Sequence, residues 1–200
     1  MNLKEVKKIK VKRIKESITE KEFKKLMSYV RGDDSIRENT RINLLRTFIF
    51  LYYCGLRLNE VQELKIIDVK NLLKNEMIKI YISKTSSERK VYLTPTFKKE
   101  INKLFDFTIE DDSNKIIHKS TSKKTGINNI VFIQQVNSKM KEILGEGFTS
   151  HSFRQGLITE MGSKSINIKI ISNFIGHKNV STTLGYIKPT DDQIKNSLVR

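Results

Sequence analysis

His151 and Arg154 stand three positions apart in this 200-residue chain. On a helix that spacing gives them one face. Thr149 or Ser150 is placed to cap such a helix, which sets an imidazole and a guanidinium at its electropositive end. That combination suits an anion. Arg57 follows Gly55 in a tight turn, just ahead of a segment that Asn59 can cap. Fixed there, its planar fork could grip a phosphate, although a single arginine in a turn is more often a plain surface cation. His177 follows Gly176 at a helix end, where a core or capping histidine is the commoner reading. Tyr186 is one of six tyrosines and does not stand out alone.

Other chemistries lack their residues. The sequence has no glycine-rich phosphate loop of the P-loop or dinucleotide type. It has no Cys/His spacing suited to zinc. The acidic pairs Asp33–Asp34, Asp111–Asp112 and Asp191–Asp192 fall in expected loops or at a helix start and read as solvated turn residues. They give little basis for a two-metal nuclease.

The elements that must position these residues are mostly helical. Thr19 followed by Glu22 is a capping box that opens a helix through about Tyr29. Residues 31–39 read as a loop. From Thr40 to Cys54 the apolar spacing is helical, and the segment is apolar nearly all round after Thr47. A central buried helix is expected there, closed by Gly55. Leu58 to Ile66 reads as the next helix, with Asn59 as cap and Gln62 three residues on. The β-rich runs 77–83 and 89–94 flank Thr85, Ser86 and Ser87 and read as a hairpin. Pro95 ends it and starts a helix through about Phe105. Residues 106–129 are polar and read as a long loop open to movement. Helices follow over about 130–144, 151–163, 166–175, 181–187 and 190–198, broken by Gly145, Gly147, Gly162 and Gly176. The expected fold class is mainly α with one small antiparallel β-hairpin.

Lys and Arg total 38 against 22 Asp and Glu, a formal net charge of +16. Such a balance points to a polyanionic partner, nucleic acid first and an anionic membrane surface second. A lysine-rich proteome would produce it too. Residues 1–18 alternate lysine with Ile and Val, and read either as an arm lying on phosphates or as a solvated tail. The single cysteine, Cys54, sits in an apolar run and reads as a buried thiol, in keeping with a reducing cytoplasm. The basic N-terminus lacks the apolar stretch of a signal peptide. The apolar run from Phe48 to Cys54 is too short to span a bilayer.

Joined together, the segments are far more specific than any one of them. YYCGLRLNEVQELKIIDV (52–69) resembles the first arginine box of tyrosine recombinases, the phage integrase family. SKTSSERKVYLTP (83–95) resembles the hairpin that carries that family's lysine. HSFRQG (151–156) resembles its H-x-x-R box, and FIGHKNVSTTLGY (174–186) is similar to its terminal box. His177 and Tyr186 lie nine positions apart, as that pattern requires. The boxes come in the family's order over about residues 19–190. Gln155 departs from the pattern, which commonly has a histidine directly after the second arginine. The length departs too, with no room for a helical core-binding domain ahead of the catalytic one. The chain resembles a catalytic-domain-only member, or a piece of a longer protein.

The resemblance implies a tyrosine recombinase catalytic-domain fold, a basic arm over 1–18, and a catalytic domain over 19–200 with a tail at 187–200. It implies a site made of Arg57, Lys84, His151, Arg154, His177 and Tyr186. Tyr186 would be the nucleophile, with a reference phenol pKa of about 10 that calls for a base or a positive field. His151 would be that base, and the two arginines would hold the phosphate oxygens. Lys84 would protonate the leaving 5′ oxygen, with Lys90 as its substitute under another hairpin register. His177 would donate a hydrogen bond to the phosphate. Neither a metal nor a nucleotide cofactor is implied. The implied partners are double-stranded DNA and three further copies in a homotetramer on paired sites, with accessory DNA-bending proteins and no membrane. The place is the cytoplasm of a bacterium, at its nucleoid. Two other readings stand beside this one: a type IB topoisomerase-like enzyme, and a DNA-binding regulator without catalysis.

Overall fold

The structure is a computed structural model that describes residues 16–82, 87–177, 179–187 and 195. Its helices are α1 (Glu20–Gly32), α2 (Glu38–Cys54), α3 (Leu58–Glu63), α4 (Ile66–Asn75), α5 (Pro95–Leu104), α6 (Asn129–Leu144), α7 (Ser150–Ser163), α8 (Ile168–Ile175) and α9 (Val180–Leu184). Between α4 and α5 come β1 (Met77–Ile82) and β2 (Ser87–Tyr92). They form an antiparallel pair with Met77 opposite Tyr92. The mainly helical fold with one small hairpin is therefore observed. Basic-arm residues 1–15, the hairpin turn 83–86, Asp191–Asp192 and all but residue 195 of the expected helix over 190–198 lie outside the described residues.

The central helix is α2. Leu44, Leu45, Phe48, Ile49, Phe50 and Leu51 are all buried, because the helix is covered on every side by α1, α5 and α7. Phe48 stacks on Phe153 of α7 with ring centroids 5.8 Å apart, and Phe50 meets Phe97 of α5 edge-on at 5.2 Å. Burial of one such ring stabilises the fold by about 3 kcal/mol or more. Cys54 is buried at the end of this helix, and burial pushes its thiol up to about 12. The thiol is accordingly inert at neutral pH.

Thr19 and Glu22 open α1 as expected, with the Glu22 carboxylate accepting from the Thr19 backbone N–H at 3.1 Å. The helix then runs to Gly32, and the loop before α2 shrinks to 33–37. Chain entry is fixed by α7, whose Ser152 carbonyl accepts from the Ile18 N–H at 3.0 Å. A Cβ at Gly156 would lie 2.1 Å from the Ile18 carbonyl oxygen. Glycine is what lets this strand of backbone lie on the helix.

Three expectations need correction. The helix at Leu58 ends at Glu63, and it is capped by Arg57 rather than Asn59. A further helix, α4, follows it. Ile66, Val69 and Leu72 line one buried face of α4 at helical spacing, and the Asp68 carboxylate accepts from the Lys65 N–H at 2.8 Å. Finally, the segment after α5 is irregular but pinned. Ile116 and Ile117 are fully buried in it. The Asn43 side chain of α2 donates to the His118 carbonyl at 2.8 Å and accepts from the His118 N–H at 3.3 Å. Arg46 donates to the Leu104 carbonyl at 3.1 Å and pairs with the buried Glu110 carboxylate. Backbone bonds from Ile66 to Asn114 (2.9 Å) and from Ile116 to Leu64 (3.1 Å) complete the attachment. The loop's polar surface conceals these buried anchors. Asp33 and Asp111 do serve as turn residues, accepting from the backbone N–H groups of Ser35 and Ser113.

A smaller apolar cluster closes the C-terminal end. Ile158 of α7 and Ile171 and Ile175 of α8 are its buried members, with Tyr186 and Ile187 packed against them. Among the described residues, no helix is long and apolar enough to cross a membrane.

Candidate active site

The site forms where two helices end. Gly55 closes α2 and Gly176 closes α8, both in the left-handed conformation (φ 58° and 73°). A side chain at Gly55 would also meet Leu157 at 2.9 Å and Ile175 at 3.0 Å. The two turns bring together the carbonyls of Cys54, Gly55 and Ile175. These are the unpaired acceptors of helix C-termini, and they carry the negative end of each dipole.

Buried guanidiniums answer them. Arg154, one turn into α7, is only 5% exposed. Its Nη1 donates to the Gly55 carbonyl at 2.8 Å, and its Nη2 to the Ile175 carbonyl. Its Nε is buried without a hydrogen-bond partner. Arg57 caps α3 immediately beyond the α2 turn. The buried Glu60 accepts from the Arg57 backbone N–H at 3.0 Å and from its Nη1 at 2.6 Å, which fixes the side chain. The Arg57 side chain is 21% exposed and is the more open of the two.

His177 follows Gly176 directly. Its backbone N–H donates to the Ser172 carbonyl at 3.0 Å, and its Nδ1 lies 2.9 Å from the buried Thr183 hydroxyl. That contact orients the ring and leaves Nε2 for another partner. Burial, then Arg154, Arg57 and Arg89, pushes His177 down to about 4, so the imidazole is neutral at pH 7. Tyr186 sits two residues beyond α9, and its N–H donates to the Thr183 carbonyl at 3.1 Å. Its ring lies nearly parallel to His177, with centroids 6.3 Å apart. Burial, followed by the charges of Arg57 and Arg89, pushes Arg154 down to about 9, while Glu60 and Tyr186 act in the opposite direction. Arg57, Arg154, His177 and Tyr186 thus share one electrostatic neighbourhood. His151 is exposed on the first turn of α7, whereas Arg154 one turn later is buried. Lys84 lies outside the described residues.

Sequence reasoning missed Arg89. It stands on β2 opposite Ile80, in the same inward row as Val91. Successive strand residues face opposite sides, so Lys90 is directed outward and is exposed opposite Lys79. That register weighs against Lys90 as the substitute acid. Strand alternation was the available signal, since an arginine in phase with Val91 must point inward.

The fold is that of a known family. The model of the phage integrase family matches residues 16–193. The chain belongs to the phage integrase family. A tyrosine recombinase XerA of Pyrococcus horikoshii is 28% identical over 187 residues, covering 94% of this chain and 61% of that protein. A tyrosine recombinase XerC of Rickettsia prowazekii is 31% identical over 141 residues, or 69% of this chain and 44% of that one. The chain thus spans about three-fifths or less of these relatives. Among solved structures, the crystal structure of XerA recombinase has a TM-score of 0.69 at 20% identity, covering 92% of this chain and 64% of that one. The XerH site-specific recombinase bound to difH substrate has a TM-score of 0.68 at 18% identity, over 96% of this chain and 56% of that chain. Both likenesses establish the integrase-family catalytic fold.

Proposed function

We propose that this chain is the catalytic part of a site-specific DNA recombinase that cuts and rejoins strands through a 3′-phosphotyrosine. The observation that carries the reading is the convergence of Arg57 and Arg154 with His177 and Tyr186 at the ends of α2 and α8. A cluster of guanidiniums facing one carboxylate attracts an anion, and a phosphodiester gains negative charge on its non-bridging oxygens during attack.

In this reading the Tyr186 oxygen attacks phosphorus in line with the leaving 5′ oxygen. His151 takes the phenol proton, and Lys84 gives a proton to the 5′ oxygen as the P–O bond breaks. Arg57, the more open of the two, and Arg154 stabilise the charge on the other oxygens. His177 donates from its Nε2. The bond to Tyr186 conserves the energy of the broken linkage, so attack by a 5′ hydroxyl restores DNA without ATP. Double-stranded DNA is the substrate, and four copies on two sites are the working assembly, with DNA-bending proteins as accessories. Residues 1–15 act as an arm on phosphates and the tail at 188–200 packs on a neighbouring copy, while Ile18 and Ile187 at their inner ends pack within this chain.

The test is incubation, without divalent metal, with nicked duplexes drawn from DNA flanking the gene. A denaturation-resistant protein–DNA adduct formed by the wild type and absent from Tyr186→Phe supports the reading. Equal salt-sensitive binding by both proteins with no adduct counts against it. Relaxation of supercoiled DNA by a lone copy, without a partner site, would replace recombinase by topoisomerase.

A further inference from the structure

We infer that Arg89 is a positioning residue for this chemistry, a clamp that sets Arg57 and His177 relative to the hairpin. The inference rests on the recombinase reading above.

Arg89 enters the site from β2, yet it is buried and its terminal nitrogens are committed to protein. Its Nη2 donates to the Cys54 carbonyl at 2.5 Å. Its Nη1 reaches the carbonyls of Ile175 at 3.1 Å and Gly55 at 3.4 Å, and lies 3.5 Å from the Glu60 carboxylate. With 1% of its side chain exposed, it has no open edge toward a substrate. It therefore acts through other residues.

What it holds is specific. Gly55 lies two residues before Arg57, and Ile175 two residues before His177. Glu60 is the carboxylate that fixes Arg57, so Arg89 and Arg57 grip it from two sides. Arg154 uses the same two carbonyls, those of Gly55 and Ile175. One strand residue thereby ties both helix turns and the Arg57 carboxylate to the hairpin. Burial of the guanidinium, with the Arg57 charge beside it, outweighs the attraction of Glu60 and pushes Arg89 below its usual range. Packing alone would favour an apolar residue in the row of Ile80 and Val91. The planar fork serves several carbonyls at once, which a lysine point charge does not.

The experiment uses the full chain and the nicked duplex that the wild-type protein traps, beside the same duplex with a methylphosphonate at the cleaved linkage. The methyl group removes one negative charge, so the transition state depends less on well-placed guanidiniums. Arg89→Lys and Arg89→Met are expected to cleave the ordinary duplex about 100-fold more slowly, the scale of an ångström-sized misplacement. DNA binding should stay near wild type, and the loss should shrink to about 10-fold or less on the methylphosphonate. Adding Arg89→Lys to Arg57→Ala should then cost less than Arg89→Lys costs alone, since part of its effect runs through the Arg57 guanidinium. Three results would overturn the inference: unchanged cleavage, equal loss on both duplexes, or loss that comes with unfolding of both variants. Failure of the wild type to trap any duplex would instead remove the recombinase reading itself.

Discussion

The arginines and the tyrosine stand on unequal foundations. Arg57 and Arg154 are rooted where α2, α3 and the start of α7 meet the main core, with Phe48 stacked on Phe153 beside them. Tyr186 and His177 rest on the smaller cluster of Ile158, Ile171 and Ile175. Helix α7 belongs to both, with Phe153 in the first and Ile158 in the second. The groups proposed to hold phosphate are thus fixed by the bulk of the domain, and the proposed nucleophile is carried on an annex. A thin core opens locally at less cost than a thick one. In the proposed reaction Tyr186 approaches and leaves phosphorus, a movement suited to the thinner support.

The largest expected effect lies in the main core. Phe48→Ala should cost about 3–5 kcal/mol in urea unfolding and destabilise the whole domain. A cost below about 1 kcal/mol would mean that α2 is not the keystone described here. Ile171→Ala should cost about 2–4 kcal/mol, but unevenly. Hydrogen exchange should quicken in α8 and α9 while α2 amides keep their protection. Equal loss in α2 would merge the two regions into one cooperative unit.

Protonation of His177 gives a third, smaller effect confined to the annex. Its folded pKa is lowered from 6.5 to about 4, so the folded state binds fewer protons than the unfolded one between those values. Its stabilising contribution is complete above about pH 6.5 and is lost as pH falls toward 4. Melting temperatures of the wild type and His177→Asn should therefore converge over that window as pH drops. Parallel curves would show that His177 is not held neutral. The smallest effect is expected at Gly162, where an added Cβ would meet Ile187 at 3.1 Å. In Gly162→Ala the gain in helix propensity offsets this crowding, and stability should change by less than about 1 kcal/mol. A larger loss would show that Ile187 cannot yield and that the annex is stiffer than its size suggests.

Much of this was legible in the sequence because local signals agreed with tertiary demands. The all-round apolar run of α2, its Gly55 terminator, the Thr19–Glu22 box and the β-branched hairpin runs each describe one element without outside help. The spaced motifs then supplied the convergence of Arg57, Arg154, His177 and Tyr186, which no periodicity reveals. What was hidden depends on distant partners. Helix α4 was masked by a segment boundary at Ile66 that only the Leu64–Ile116 backbone contact makes clear. The firmness of the loop at 114–118 comes from Asn43 and Arg46, both in a helix that otherwise reads as core. Arg89 only opened one of the β-rich runs, and its inward register appears when Val91 is taken as the phase. Arg154 and His151 were expected as a matched pair on one face, yet one is buried and the other exposed.

The most direct test of the central claim is to digest the trapped protein–DNA adduct with trypsin and map the nucleotide by mass spectrometry. Because trypsin does not cut before Pro189, the relevant peptide runs from Asn179 to Lys195 and holds a single tyrosine. The account predicts a phosphodiester-linked nucleotide on Tyr186. Attachment to Ser181, Thr182 or any of the other tyrosines would contradict it.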